Sequence, residues 1–298
     1  MAERYELHRG EAGFPSMVAQ EDSVRTETLF VLGSLDVFDC DTVSIIGARR
    51  ATPYGIAIAE MAGRIAAESG IVVVSGGALG CDHAASRAAL DAGGRTIIVS
   101  GCGADKVYPR SSTDIFTDAI RTGGAIVSLE RWGSEPRRYN FPKRNIIIAA
   151  LSPVLLVAEA GERSGTMSTV DAALELGRTI YAAPGSIFSP NSQGTNRLVR
   201  DGAYPIVSES DLEMRLSLDY GVLRVVTQGE DREVGEVMSA LIASPARPDD
   251  LAPRLGQSVL TLLRTLSDYE SRGIVERLPD GRYALTSQAY QQYRTSQQ

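Results

Sequence analysis

The chain has 298 residues, 43% of them hydrophobic and 22% charged, with a formal net charge of −7. That length holds one large domain or two at about 100–200 residues per domain, and the composition is that of an ordinary globular protein. Taken alone, the negative charge argues against a surface coated for nucleic acid.

In chain order, residues 1–42 read as an acidic N-terminal extension with three arginines and nine acids. Leu29–Leu32 is a possible strand within it. From Val43 onward, short β-branched runs alternate with alanine-rich stretches. Strands are predicted at Val43–Ile46, Ile71–Val74, Thr96–Val99, Ala125–Ser128, Val154–Val157 and Thr179–Ala182. Helices are predicted between them at Tyr54–Ser69, Asp82–Ala92, Ser112–Thr122, Lys143–Ala150 and Thr166–Leu176. Strands that are apolar throughout and alternate with helices indicate a mainly parallel sheet covered on both faces. The predicted class is therefore α/β, Rossmann-like and doubly wound over residues 43–220, with ligands at the carboxyl ends of the strands.

That rhythm stops near Asp219, and residues 221–232 read as a polar linker. Residues 233–298 then read as a small C-terminal winged-helix-like domain. Helices are predicted at Val234–Ala243 and Ser258–Ser271, followed by a strand from Gly273, a Pro279-Asp280-Gly281 turn and a strand at Arg282–Leu285.

Several function classes are disfavoured. No apolar run approaches the ~20 residues that span a bilayer, and Met1–Gly10 has no signal-peptide core. Cys40, Cys81 and Cys102 are odd in number and lack C-x-x-C spacing, which suits a reducing cytosol. The only histidines, His8 and His83, argue against clustered metal sites and most His-based triads. Walker A, G-x-G-x-x-G and G-x-S-x-G patterns are absent. No nucleophile–base pair stands out; Glu159 reads better as a cap or ion-pair partner than as an acid/base. Neither a cofactor nor a metal is expected.

Five strand-end loops carry the functional signal. Gly47-Ala48-Arg49-Arg50-Ala51-Thr52 joins a flexible turn to two cations beside a helix start. In Ser75-Gly76-Gly77-Ala78-Leu79-Gly80, glycines expose amides as a possible anion nest. The most informative loop is Arg137-Arg138-Tyr139-Asn140-Phe141-Pro142-Lys143-Arg144-Asn145. Cations at a helix N-terminus oppose the macrodipole, so Lys143 and Arg144 imply an anionic occupant, while the aromatic residues offer faces for bases. Ser164-Gly165-Thr166 opens a helix with amides and hydroxyls suited to phosphate. Pro184-Gly185 with Gly194-Thr195-Asn196 forms the fifth loop, with structural and functional readings evenly matched.

In this order, these loops resemble the bacterial DNA-processing protein A (DprA/Smf) family, over about Leu29 to Leu212. The resemblance implies a non-enzymatic single-stranded DNA-binding protein of the cytoplasm that forms dimers. It further implies protection of incoming DNA and loading of a RecA-type recombinase during natural transformation. The implied nucleic-acid-binding residues are Arg49, Arg50, Gly76, Gly77, Arg138, Phe141, Lys143, Arg144, Asn145, Ser164, Gly165 and Thr166. Leu79, Cys81, Ser86 and Ile146 depart from the family pattern, which implies a less basic pocket.

Two rival readings remain. A phosphoribohydrolase would carry Pro-Gly-Gly-x-Gly-Thr-x-x-Glu, but Gly161–Val170 lacks the double glycine and the final glutamate. A winged-helix transcription regulator would bind duplex, yet residues 251–298 hold only six arginines against four acids. The charge itself is segregated: 131–144 carries five basic residues and one acid.

Overall fold

A computed structural model of the chain describes residues 2–222, 237, 240–241, 244–256, 258–271 and 273–286. The chain divides into two compact units, residues 1–226 and 227–298.

The first unit is built on a nine-stranded sheet: β1 (Arg4–His8), β2 (Thr28–Gly33), β3 (Thr42–Ile46), β4 (Val72–Ser75), β5 (Thr96–Ser100), β6 (Ala125–Ser128), β7 (Val154–Val157), β8 (Thr179–Ala182) and β9 (Tyr204–Pro205). Their order is β1-β2-β6-β5-β4-β3-β7-β8-β9. Every pairing from β6 to β9 is parallel, and β1–β2 and β2–β6 are antiparallel. The order reverses between β3 and β7, which pair from Val43↔Val154 to Ile46↔Val157. Loops leaving those two strands diverge and open a crevice, the ligand position of doubly wound sheets.

The strands form because both their faces are covered. Val72 and Val74 face one core with Ile97, Val99, Val127 and Leu155. The intervening Val73 faces the other core with Val43, Ile45 and Leu156, as pleat alternation requires. The second core is closed by α2 (Pro53–Glu68), α3 (Cys81–Asp91) and α8 (Glu209–Tyr220). The first core is closed by α5 (Asn140–Ala150), α6 (Met167–Glu175) and the short N-terminal α1 (Ser16–Ala19). Among the described residues the remaining α-helices of this unit are α4 (Thr113–Arg121) and α7 (Gln193–Arg200).

Helix α2 starts where Thr52 accepts a hydrogen bond from the Gly55 N–H and Pro53 supplies a pre-set φ. Small residues bring α2 and α3 close together: a Cβ on Gly63 would lie 2.2 Å from the Ala85 carbonyl oxygen.

The acidic segment 1–42 is part of this fold. β1 and β2 extend the sheet beyond β6, with Leu7, Leu29 and Val31 in the core. Arg9 secures the segment by donating to the carbonyls of Thr26 (3.1 Å), Ala19 (2.8 Å) and Val24.

In the second unit, Val237, Ala240 and Leu241 are helical. α9 (Pro248–Leu255) ends at Gly256 with φ +62°, a left-handed cap. α10 (Val259–Ser271) leads to the antiparallel pair β10 (Val275–Arg277) and β11 (Tyr283–Leu285). Leu251, Leu262, Leu266, Val275 and Tyr283 form the core. The predicted linker beyond residue 222 lies outside the described residues, as does most of Val234–Ala243. Among the described residues, no helix is long and apolar enough to cross a membrane.

Candidate nucleic-acid interface

The carboxyl ends of β3 to β7 open into a cleft of about 1080 Å³. Its lining includes Arg49 and Arg50 after β3, Tyr108 after β5, and Arg138, Phe141, Arg144 and Asn145 around the start of α5. The loop after β7 adds Arg163, Ser164, Gly165 and Thr166. Five arginines thus face Asp82 and Glu162, the two acids of the lining.

The loop after β3 is held from beneath by Glu159, which is 2% exposed. Its carboxyl oxygens accept from the Thr52 N–H (2.8 Å) and hydroxyl (2.6 Å), and its carbonyl accepts from the Ala48 N–H (2.8 Å). Both ends of the Arg49–Arg50 turn therefore hang on one residue after β7. With both oxygens engaged in this way, Glu159 acts as a structural clamp. Gly55 makes room for it, because a Cβ there would lie 2.5 Å from the carboxyl.

Arg49 and Arg50 are exposed. The Arg49 guanidinium lies 5.4 Å from the centre of the Phe141 ring, and Tyr108 packs against the same ring at 5.4 Å. Phe141 lies on Gly101, where a Cβ would fall 2.7 Å from the ring. Lys143 sits outside the lining, exposed, with its ammonium 5.0 Å from the Tyr139 ring centre. The first turn of α5 has no acidic residue and no side-chain cap. Its positive dipole end therefore adds to the two cations.

Arg144 occupies a different environment from its neighbour. It is buried, donates to the Val99 carbonyl, and leaves Nε without a partner among the described residues. Burial lowers its pKa to about 10, against the favourable charge of Asp82. Asp82 is also buried; burial raises its pKa, opposed by Arg144 and by backbone amides including those of Gly47 (3.3 Å) and Gly76 (3.1 Å). The two side chains form a polar floor for the cleft.

Gly76 and Gly77 do not line the cleft. Gly76 lies under the Arg144 guanidinium, where a Cβ would be 2.2 Å from Nη1. Gly77 adopts φ +64° with Ile98 and Phe116 against it. Their contribution is close packing beneath the site.

The Ser164–Thr166 turn is partly engaged internally. The Thr166 N–H donates to Ser164 Oγ (3.2 Å) and its hydroxyl to the Gly47 carbonyl (3.0 Å). Gly165 remains exposed at the rim. Asn145 reaches the same turn through Ser168, which accepts from Nδ2 at 2.8 Å and donates to the Gly165 carbonyl at 2.8 Å. The fifth loop carries structural bonds: Asn196 forms a reciprocal pair with the Gly185 backbone, 3.0 Å each way, and Gly194 packs on Ala160.

Among the family departures, Leu79 is exposed and Ile146 half-buried, while Cys81 and Ser86 are buried. Sequence reasoning missed Arg163 and Tyr108 as lining residues. The only sequence signal for Arg163 is a cation immediately before Ser164, and Tyr108 has none.

A family model described as DNA recombination-mediator protein A matches residues 7–217. Protein Smf of Escherichia coli is 33% identical over 268 residues, covering 85% of this chain and 70% of the relative. DNA processing protein DprA of Streptococcus pneumoniae is 38% identical over 184 residues, covering 62% of this chain and 64% of the relative. The solved structure of the Streptococcus pneumoniae protein superposes with TM-score 0.65 at 33% identity, over 70% of this chain and 72% of that one. DNA processing protein A from Helicobacter pylori, described with its single-stranded DNA binding mode, gives TM-score 0.64 at 30% identity, over 73% and 97% of the two chains. The match runs through the strand ends that build the cleft, and the chain belongs to the DNA recombination-mediator protein A family.

Proposed function

We propose that the cleft binds single-stranded DNA without catalysing a reaction on it. The observation that carries this reading is the set of exposed cations: Arg49, Arg50, Arg138 and Arg163 share the cleft lining with the Phe141 and Tyr108 rings, and Lys143 lies just outside it over Tyr139. Among the described residues none of the five forms an ion pair, so their charge is available to phosphates. The rings offer faces that stack on any base, which favours a strand with unpaired bases over a duplex. The engagement of both Glu159 carboxyl oxygens by Thr52 supports a structural role for this acid beside the arginine turn.

In this reading the protein protects incoming single strands and passes them to a RecA-type recombinase during natural transformation, as a cytoplasmic homodimer. The second unit acts as a winged-helix-like module. Support for the DNA step comes from the Helicobacter pylori relative and its described binding mode. The test is anisotropy of a labelled oligothymidine with the full chain. Arg49→Glu and Lys143→Glu, both at exposed positions, are each expected to weaken binding at least tenfold with an unchanged melting temperature. Undiminished affinity in both variants would refute the site.

A further inference from the structure

Loop 183–192, after β8, has a polarity that folding does not explain. Ile187 is 77% exposed and Phe188 89% exposed, the highest values among the exposed large hydrophobic residues that are described. Its polar residues are the ones used internally. Ser186 Oγ accepts from the Phe188 N–H (3.2 Å), the Ser186 carbonyl accepts from the Ser189 N–H (3.0 Å), and that of Ser189 accepts from the Ser192 N–H (3.1 Å). The base of the loop is pinned as well. Tyr54 donates its hydroxyl to the Pro184 carbonyl, Asn196 pairs with Gly185, and a Cβ on Gly185 would lie 2.2 Å from Ser192 Oγ. A braced turn thus holds an isoleucine and a phenylalanine out in water, where each ordinarily gains by burial.

The same loop continues into the cleft. Pro190 and Asn191, two and three residues beyond Phe188, form part of its lining. Along the sheet the loops run in the order β6, β5, β4, β3, β7, β8. Five spacings of about 4.8 Å separate β6 from β8, roughly 24 Å. The cationic and aromatic groups lie at the β6-to-β7 end, and the apolar tip follows at β8. A strand laid from Tyr139 across Arg49 to Gly165 would therefore leave the cations and meet Phe188 next.

We propose that the Ile187–Phe188 tip is a base-stacking subsite at the exit of the cleft, taking a nucleobase of the strand once its phosphates have passed the arginines. The occupant is DNA because the tip is continuous with the cleft and a flat base suits a phenyl ring held free of other contacts. This deepens the proposed function and rests on it. At about 3.4 Å per stacked nucleotide, roughly seven nucleotides reach from β6 to β8. An oligomer of about three nucleotides stays within the cationic part.

The test measures affinities of the full chain for oligothymidines of about three and about 15 nucleotides. Phe188→Ala is expected to lower affinity for the long oligomer about tenfold, the loss of one stacked base, and to leave the short one unchanged. Phe188→Leu, which keeps apolar bulk without a ring, should behave like the alanine variant. Phe188→Trp should show emission quenched by the long oligomer only, above the background of Trp132, the single native tryptophan. If the parent chain binds the long oligomer and Phe188→Ala binds it equally well, the subsite is refuted while the cleft stands. If Phe188→Ala changes self-association in sedimentation and not DNA affinity, the tip is a protein contact and the proposal fails. If the parent chain binds neither oligomer, the cleft reading itself fails, and the subsite with it.

Discussion

Replacing Glu159 with alanine tests the architecture of the cleft. The substitution removes acceptors at 2.8 Å and 2.6 Å from the Thr52 N–H and hydroxyl, in a position where the glutamate is 2% exposed. Hydrogen bonds to a charged group contribute about 1.5–3 kcal/mol each, and buried donors left unmatched cost on that scale. The expected loss is about 3–6 kcal/mol, a large share of the ~5–15 kcal/mol that holds a typical domain folded. For a unit of this size that lowers the melting temperature by on the order of 10 °C. Calorimetry of the full chain measures it. The Ala48 end of the arginine turn keeps its backbone bond while the Thr52 end is released, so oligothymidine affinity should fall several-fold in the folded variant. Gly55→Ala, whose Cβ would lie 2.5 Å from the same carboxyl, should act in the same direction. A melting temperature within about 2 °C of the parent for Glu159→Ala would refute the clamp.

Adjacent Lys143 and Arg144 should respond differently to glutamate. Lys143→Glu should weaken single-strand binding at least tenfold at unchanged stability. Arg144→Glu should destabilise by about 3–5 kcal/mol, because it leaves Asp82 facing a second buried acid; equal melting temperatures would contradict that placement. Alkylation of the folded chain should label the partly exposed Cys40 and spare buried Cys81 and Cys102 until denaturant is added. Burial raises the Cys81 thiol from its ordinary value near 9.0 to about 12, so the unfolded chain ionises first. Its contribution to stability is present below pH 9 and lost as the pH rises toward 12. Cys81→Ala should flatten that part of the pH–stability curve, and an unchanged slope would refute the assignment.

The sheet core was legible because its strands are short, β-branched and buried on both faces. β1 and β9 were not. In β1 only Leu7 is buried, and β9 is two residues ending in proline, so neither carries a strong pattern. The exposed position of Lys143 was legible because a cation in an uncapped first helical turn opposes the dipole. The burial of Arg144, which lies in the cleft floor and not on an exposed face like Lys143, has a geometric reason that the sequence pattern did not show. At 3.6 residues per turn, successive side chains point about 100° apart, so Lys143 faces solvent and Arg144 turns down into the cleft floor. Gly76 and Gly77 lie outside the lining, since freedom from a side chain serves packing under Arg144 as well as exposure to a ligand. Arg163 has only its place before Ser164 as a signal, and Tyr108 joins the site through tertiary approach, which no local spacing encodes.

The most direct measurement is the salt dependence of single-strand and duplex binding by the full chain. With up to five exposed cations on phosphates, log K for a single strand should fall with log salt at a slope near −3.5, about −0.7 per phosphate. The account predicts that slope, a shallower one for Lys143→Glu, and weaker binding to a duplex of the same length. Salt-independent binding, or equal affinity for both forms, would contradict it.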